Sequence, residues 1–208
     1  GLKKDVYRRA YFASDNSSDA DYNQIDGFWT RNIESSGASN YCVYRYGSAL
    51  GNGTLSANTS ADYFKGMYNN SNVLLKEFGI DTGKVEFQVT RSVWENYYDT
   101  LAAVGSVAEG QYETFIKGQQ VLTFRGIPVR PMNIWDSLLA ESDNPLFGTT
   151  KHLIAFTMKD NHILGVENTS DLEKIESWYE MKDQKRYYRS NMVMGYQYLH
   201  CDLTSISY

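Results

Sequence analysis

With 208 residues, 42% of them hydrophobic and 22% charged, the chain has the composition of a folded domain and not of a disordered tail. A domain of this length buries about 70% of its unfolded-chain surface, so it requires no disulfide or metal staple. The formal net charge of −5 argues against nucleic acid as the main partner, and no apolar run approaches the roughly 18 residues that a membrane span needs.

Residues 1–40 are polar and weakly periodic. "ASDNSSDADYNQ" reads as a loop and "IDGFW" as a turn into an extended segment. Lys3, Lys4, Arg8 and Arg9 form a local basic cluster that reads as a solvated face before it reads as a phosphate site. Gly1 in place of a methionine points to a processed or trimmed start. "NYCVYRYG" predicts a short strand in which Tyr41, Val43 and Arg45 alternate with Cys42, Tyr44 and Tyr46, and "GSALGNGTLSANTS" a loop. From Ala61, Phe64, Met67, Tyr68, Ser71, Leu75 and Phe78 fall on one helical face, with Thr59 or Ser60 as cap and Gly79 as stop. "KVEFQVT" alternates as a strand with one buried face. A second helix follows, with Ser92 and Glu95 as a capping box, Trp94, Tyr97, Tyr98, Leu101 and Val104 as its stripe and Gly105 as its end.

"YETFIKG" and "QQVLTFRGIPV" predict further strands, and "NIWDSLLAES" a short helix capped by Asn133. Pro128 and Pro131 would stiffen the corner between strand and helix, because proline fixes its own φ and biases the residue before it to extended backbone. "HLIAFTM" is apolar on both faces, as a central strand is when covered on both sides. "KDN" turns into "HILGVE", and "DLEKIESWYEM" and "RYYRSNMVMGYQYLHCDLTSISY" read as extended segments joined at "KDQK". No repeat or proline-rich linker divides the chain. The expected fold class is α/β (α+β): a central mixed sheet flanked by helices at 41–174, an irregular segment at 1–40 and an extended β segment at 175–208.

Signatures of enzymes are missing: there is no GxSxG elbow, P-loop or dinucleotide fingerprint after a strand. Among three histidines, His152 and His162 would be cross-strand neighbours near Asp160 if "HLIAFTM" and "HILG" formed a hairpin, the best metal candidate in the sequence. It lacks a third ligand at close spacing, so sheet-edge histidines are the simpler reading. His200, Cys201 and Asp202 are adjacent, and adjacent strand residues point to opposite faces, which makes Cys201 a structural thiol and not half of a Cys/His pair. Cys42 and Cys201 match no CxxC spacing and read as reduced cysteines, against which stand five N-x-S/T sequons at Asn16, Asn52, Asn58, Asn69 and Asn168. Tyr187, Tyr188, Tyr196 and Tyr198 suit either packing or a protein interface. No catalytic, cofactor-binding or metal residue is assigned, and the chain is expected not to be an enzyme.

From Asp26 onward, "IDGFWTRNI", "LLKEFG", "KVEFQVTRSVWENYYDTLA", "FRGIPVRPMNIWD", "LIAFTMKDNHILGVE" and "RYYRSNMVMGYQYLHCD" carry a family likeness. In this order they resemble the major capsid proteins of tailed bacteriophages, in the fold first described for phage Hong Kong ninety-seven. The resemblance implies an axial-domain-like α/β core and a late strand, spaced R-x-x-x-x-x-G, that returns the chain to the peripheral domain. It implies a structural subunit of a phage or prophage capsid shell, with copies of itself in pentamers and hexamers as partners and no cofactor, membrane or specific nucleic acid. The implied location is the virion, reached from the host cytoplasm. Family members carry an N-terminal arm, an extended loop and a long spine helix before this region, and no long helix is expected before Asp26. The stretch alone is therefore expected to be a monomer or weak oligomer. An encapsulin-type shell shares the fold. The competing classes are a carbohydrate-binding or cell-surface module, for its aromatics and sequons, and an enzyme with convergent perturbed groups in a pocket.

Overall fold

The computed structural model describes residues 2–20, 22–37, 43–103, 114–116, 119–166, 176–182, 184–189 and 194–208. Alternation along Val85–Val89 (β2) sets the two sides of the fold. Val85, Phe87 and Val89 point into one apolar cluster, while Glu86 and Gln88 face the other way. Ile154–Met158 (β6) runs antiparallel beside it with Phe156 opposite Phe87, and the two rings stack at 4.4 Å. Gln119–Phe124 (β4) and Ile127–Pro131 (β5) form a hairpin whose turn residues, Arg125 at φ 53° and Gly126 at φ 79°, take the left-handed conformations that a tight two-residue turn needs. Tyr44–Arg45 (β1), Thr204–Ser207 (β11) and Thr114–Ile116 (β3) complete a mixed sheet in the order β1-β11-β6-β2-β5-β4-β3.

Helices cover both faces, so the fold is mixed α/β in three layers. Thr59–Asn70 (α3), Val73–Thr82 (α4) and Arg91–Ala103 (α5) pack Phe64, Met67, Leu75, Val93 and Tyr97 onto the first cluster. Leu2–Phe12 (α1), Phe28–Gly37 (α2) and Asn133–Leu139 (α6) place Phe12, Phe28, Trp29 and Trp135 on the opposite face, around Ala155 and Ile206. The proline corner is present. Parallel pairing of β5 with β2 starts at Val129, after Pro128, and beyond Pro131 the Met132 N–H donates to the Val89 carbonyl at 2.8 Å before α6 begins.

Outside this sheet lie two antiparallel ribbons, the first of which forms an arm. His162–Val166 (β7) pairs antiparallel with Met194–Tyr198 (β10), and Glu176–Glu180 (β8) with Lys185–Arg189 (β9).

Several expectations are corrected. Residues 1–40 are not irregular throughout but contain α1 and α2, whose apolar faces are short and aromatic and so leave little periodic signal. The single helix expected from Ala61 is two, because the Asn72 side chain accepts from the Leu74 N–H at 3.0 Å and starts a new one. Gly79 lies inside α4, and Gly83 at φ 61° ends it. The Ser92–Glu95 capping box does not form: Thr90 precedes α5, its carbonyl accepting from Trp94, and Ser92 turns to His152. Met132, not Asn133, precedes α6. The end of the 175–208 segment is not a projecting strand, since β11 inserts between β1 and β6 in the main sheet. Val104, Gly105, Tyr41 and Cys42 lie outside the described residues.

One glycine fixes how α1 meets α2. A Cβ on Gly27 would sit 2.7 Å from the Arg9 carbonyl oxygen and 2.9 Å from the Tyr11 carbonyl carbon, both backbone atoms that cannot swing aside. Gly27→Ala is expected to cost about 3 kcal/mol, the upper range for overpacking, read as a lower urea midpoint at an unchanged slope.

Candidate functional site

The hairpin that would bring His152 and His162 together does not exist, because β7 pairs with β10 and β6 pairs with β2 and β11. His152 is buried; its Nε2 donates to the Gly53 carbonyl at 2.7 Å, which leaves Nδ1 to accept the Ser92 hydroxyl at 2.7 Å. His162 also has both nitrogens engaged, Nδ1 with the Tyr196 hydroxyl at 2.5 Å and Nε2 with Thr157 Oγ1 at 2.6 Å. Burial pushes its pKa down to about 4, so the ring is neutral at pH 7. Neither ring offers a lone pair to a metal.

The Thr157–His162 contact belongs to a network at the root of the arm. Asn161, 2% exposed, donates to the His200 carbonyl at 2.7 Å and accepts the His200 N–H at 2.8 Å, clamping the start of β7 to the end of β10. Asn161→Ala would leave that backbone unpaired and is expected to cost about 1–3 kcal/mol. Hydrogen exchange should then quicken at Leu199, whose N–H donates to the Asn161 carbonyl.

Cys201 is not a thiol but disulfide-bonded. The sequence holds one other cysteine, Cys42, which lies outside the described residues. A disulfide needs proximity in space and not in sequence, which is why the absence of CxxC spacing misleads.

Two of the N-terminal basic residues, Lys4 and Arg8, are paired within the fold. Glu141 takes Lys4 at 2.6 Å, Arg8 Nε at 2.9 Å and the Tyr22 hydroxyl at 2.8 Å, and Arg8 also meets Asp5 at 2.8 Å. Burial alone would raise the Glu141 pKa, but these donors overcome it and hold it at about 2. Glu86, 1% exposed, is neutralised by Lys159 at 3.4 Å and Arg130 at 3.5 Å and accepts from Gln88 at 2.8 Å. Near it a cleft of about 240 Å³ is lined by Tyr7, Tyr11, Phe28, Lys159, His162 and Leu164. Its histidine is occupied, its Lys159 and Gln88 are turned to Glu86, and its remaining described walls are aromatic or aliphatic, so no nucleophile–base pair converges there among the described residues. Carboxylate oxygens of Asp15, Asp26 and Glu34 lie within 4.8 Å of one another, with Asp26 accepting the Asp15 N–H at 3.0 Å and facing Arg31 at 3.7 Å. Burial first, then those two neighbouring carboxylates, raises the Glu34 pKa.

Of the four tyrosines singled out, Tyr196 is buried against Phe28 and His162, and Tyr198 bonds Ser35 at 2.7 Å, fixing β10 to α2. Tyr187 is exposed on the β8–β9 hairpin and stacks on Trp178 at 5.8 Å, while the Tyr188 side chain lies outside the described ones. All described side chains from Ser177 to Tyr187 are exposed, with Trp178 at 46%, Tyr179 at 56% and Met181 at 83%. The tyrosine content marks an interface in the sequence but Trp178 and Met181 do not stand out, since they are three residues apart and no one alternating face of "ESWYEM" holds both. No helix among the described residues is long and apolar enough to cross a membrane. Comparison with protein-family models, with curated proteins and with solved structures returned no match.

Proposed function

We propose that the chain is a structural subunit of a tailed-phage or prophage capsid shell, assembling through contacts between copies and residing in the virion. The observation that carries this reading is the β8–β9 hairpin, which presents Trp178, Tyr179 and Met181 to solvent. Exposed aromatic and methionine side chains grouped on one element are the composition of an interface core. The inner chemistry points the same way: His152, His162, Glu86, Glu141, Lys4 and Arg8 are engaged within the fold, and the sequence segments quoted above resemble capsid proteins. The Cys201 disulfide suits a particle that persists outside a reducing cytoplasm.

Sedimentation velocity over a rising concentration series tests the reading. The exposed hairpin narrows the expectation of a monomer or weak oligomer to the second: weak, reversible self-association is expected, and it should weaken in Tyr179→Ala. A monomer at every concentration would contradict it.

The carbohydrate-binding alternative is favoured by the same stacked pair, since Trp178 and Tyr187 lie within 21° of coplanar and offer a flat platform for a sugar ring. Glycan binding abolished by Trp178→Ala would decide for it. For the enzyme alternative, the serine hydroxyl–imidazole contact among the described residues is Ser92 with His152. The shell reading expects no labelling of Ser92 by a fluorophosphonate probe, and stoichiometric labelling would overturn the non-enzymatic assignment.

A further inference from the structure

We propose that the β8–β9 hairpin of one copy docks into a groove at the root of the arm of a second copy. This contact rests on the shell-subunit reading and gives it a geometry. The groove holds about 330 Å³, room for an aromatic side chain, and runs between α4, the Lys159–Asn161 turn and the Cys201–Leu203 turn. Leu74, Met158, Leu199 and Leu203 make it apolar, with Leu74 and Leu199 45% and 59% exposed. Asp160 and Asp202 add two carboxylates, and the lining contains no lysine or arginine. Lys84 offsets Asp160 at 2.5 Å, whereas Asp202 receives a neutral hydrogen bond from Asn72 at 3.2 Å and forms no ion pair among the described residues.

The hairpin has a matching face. Opposed residues in an antiparallel pair share a face, and faces alternate along each strand. Trp178, Tyr187, Glu180 and Lys185 share one face, on which acid and base stand directly opposite each other. Ser177, Tyr179 and Arg186 share the other, which presents an aromatic ring and a cation and, among the described side chains, no acid. Tyr179 supplies the apolar body for the groove and Arg186 the charge for Asp202.

The occupant is a second copy because the chain carries both complementary surfaces and both are open: the groove, where β7 starts and β10 ends, sets the Asp202 carboxylate beside exposed leucines, and the described side chains of the hairpin, Tyr179 and Arg186 among them, are all exposed. Tip-to-root contact is heterologous, leaving one free tip and one free root on every pair, and it closes into rings where the rotation permits. One such contact is small against the roughly 1,600 Å² of a stable interface, so it acts through repetition around the ring.

Mixing two variants tests this directly. Ser177→Cys and His200→Cys proteins, which keep Tyr179 and the apolar walls, are combined under mild oxidation after sedimentation has measured their self-association and are expected to give a disulfide-linked dimer in the mixture and in neither variant alone. Adding Arg186→Glu to the first should cut the yield by about tenfold, and Asp202→Lys in the second should restore it. Self-association without the mixed dimer would overturn the docking and leave the shell reading standing. A mixture that neither associates nor cross-links would overturn both.

Discussion

Replacing Trp135 with alanine is expected to lower the unfolding free energy by about 3–5 kcal/mol, the range for deleting a large buried aromatic. Trp135 is fully buried on α6 and meets Trp29 at 5.2 Å, Tyr11 at 5.6 Å and Phe28 at 6.0 Å. It is therefore the point at which α1, α2 and α6 hold one another against the sheet. Its indole nitrogen has no hydrogen-bond partner among the described residues, so Trp135→Phe gives up no described polar contact and should cost less than half as much as alanine. Urea unfolding of both variants measures this. A cost below about 1 kcal/mol for Trp135→Ala would mean that the helical layer is not joined at this residue.

The second large effect is acid destabilisation through His162. The unfolded histidine titrates near 6.5, while the folded one is held at about 4 by burial. As pH falls from about 6.5 the unfolded chain takes up the proton first, so stability declines until the folded ring also protonates near pH 4. The full swing is about 3 kcal/mol. Glu141 acts in a lower window: its folded pKa of about 2 lies below the ordinary carboxylate value, so its contribution is complete above about pH 4.5 and lost as pH falls towards 2. Urea midpoints from pH 7 to 4 should drop in the native sequence and flatten in His162→Gln, whereas Glu141→Gln should lower the midpoint above about pH 4.5 by an amount that closes as pH falls towards 2. A flat native profile between pH 7 and 4.5 would contradict the buried, neutral ring. Because His162 bonds Tyr196 across the β7–β10 ribbon, the same titration should loosen the arm.

Much of the sheet is legible in the sequence because its signals are local. "KVEFQVT" alternates and "HLIAFTM" does not, and the first becomes β2 with one apolar cluster on its valine side while the second becomes β6, flanked by strands on both edges. The proline corner is legible for the same reason, since Pro128 and Pro131 act on their own backbone. Pairing is not local. Nothing in "HILGVE" says that its partner is "MGYQY" and not the strand just before it, and the proposed histidine pair depended on that choice. Glu86 shows the same limit. Alternation assigns it to the polar side of β2, but whether that side meets water depends on α1 and on Arg130 and Lys159, residues distant in sequence. The disulfide at Cys201 and the insertion of β11 into the main sheet likewise follow from where the chain returns, which no spacing records.

Electron microscopy of the complete gene product expressed in bacteria tests the shell reading most directly. Closed polyhedral particles or rings of uniform size are expected, lost when the β8–β9 hairpin is replaced by a short glycine-containing turn. A monodisperse monomer from the complete gene product, with or without the hairpin, would contradict it.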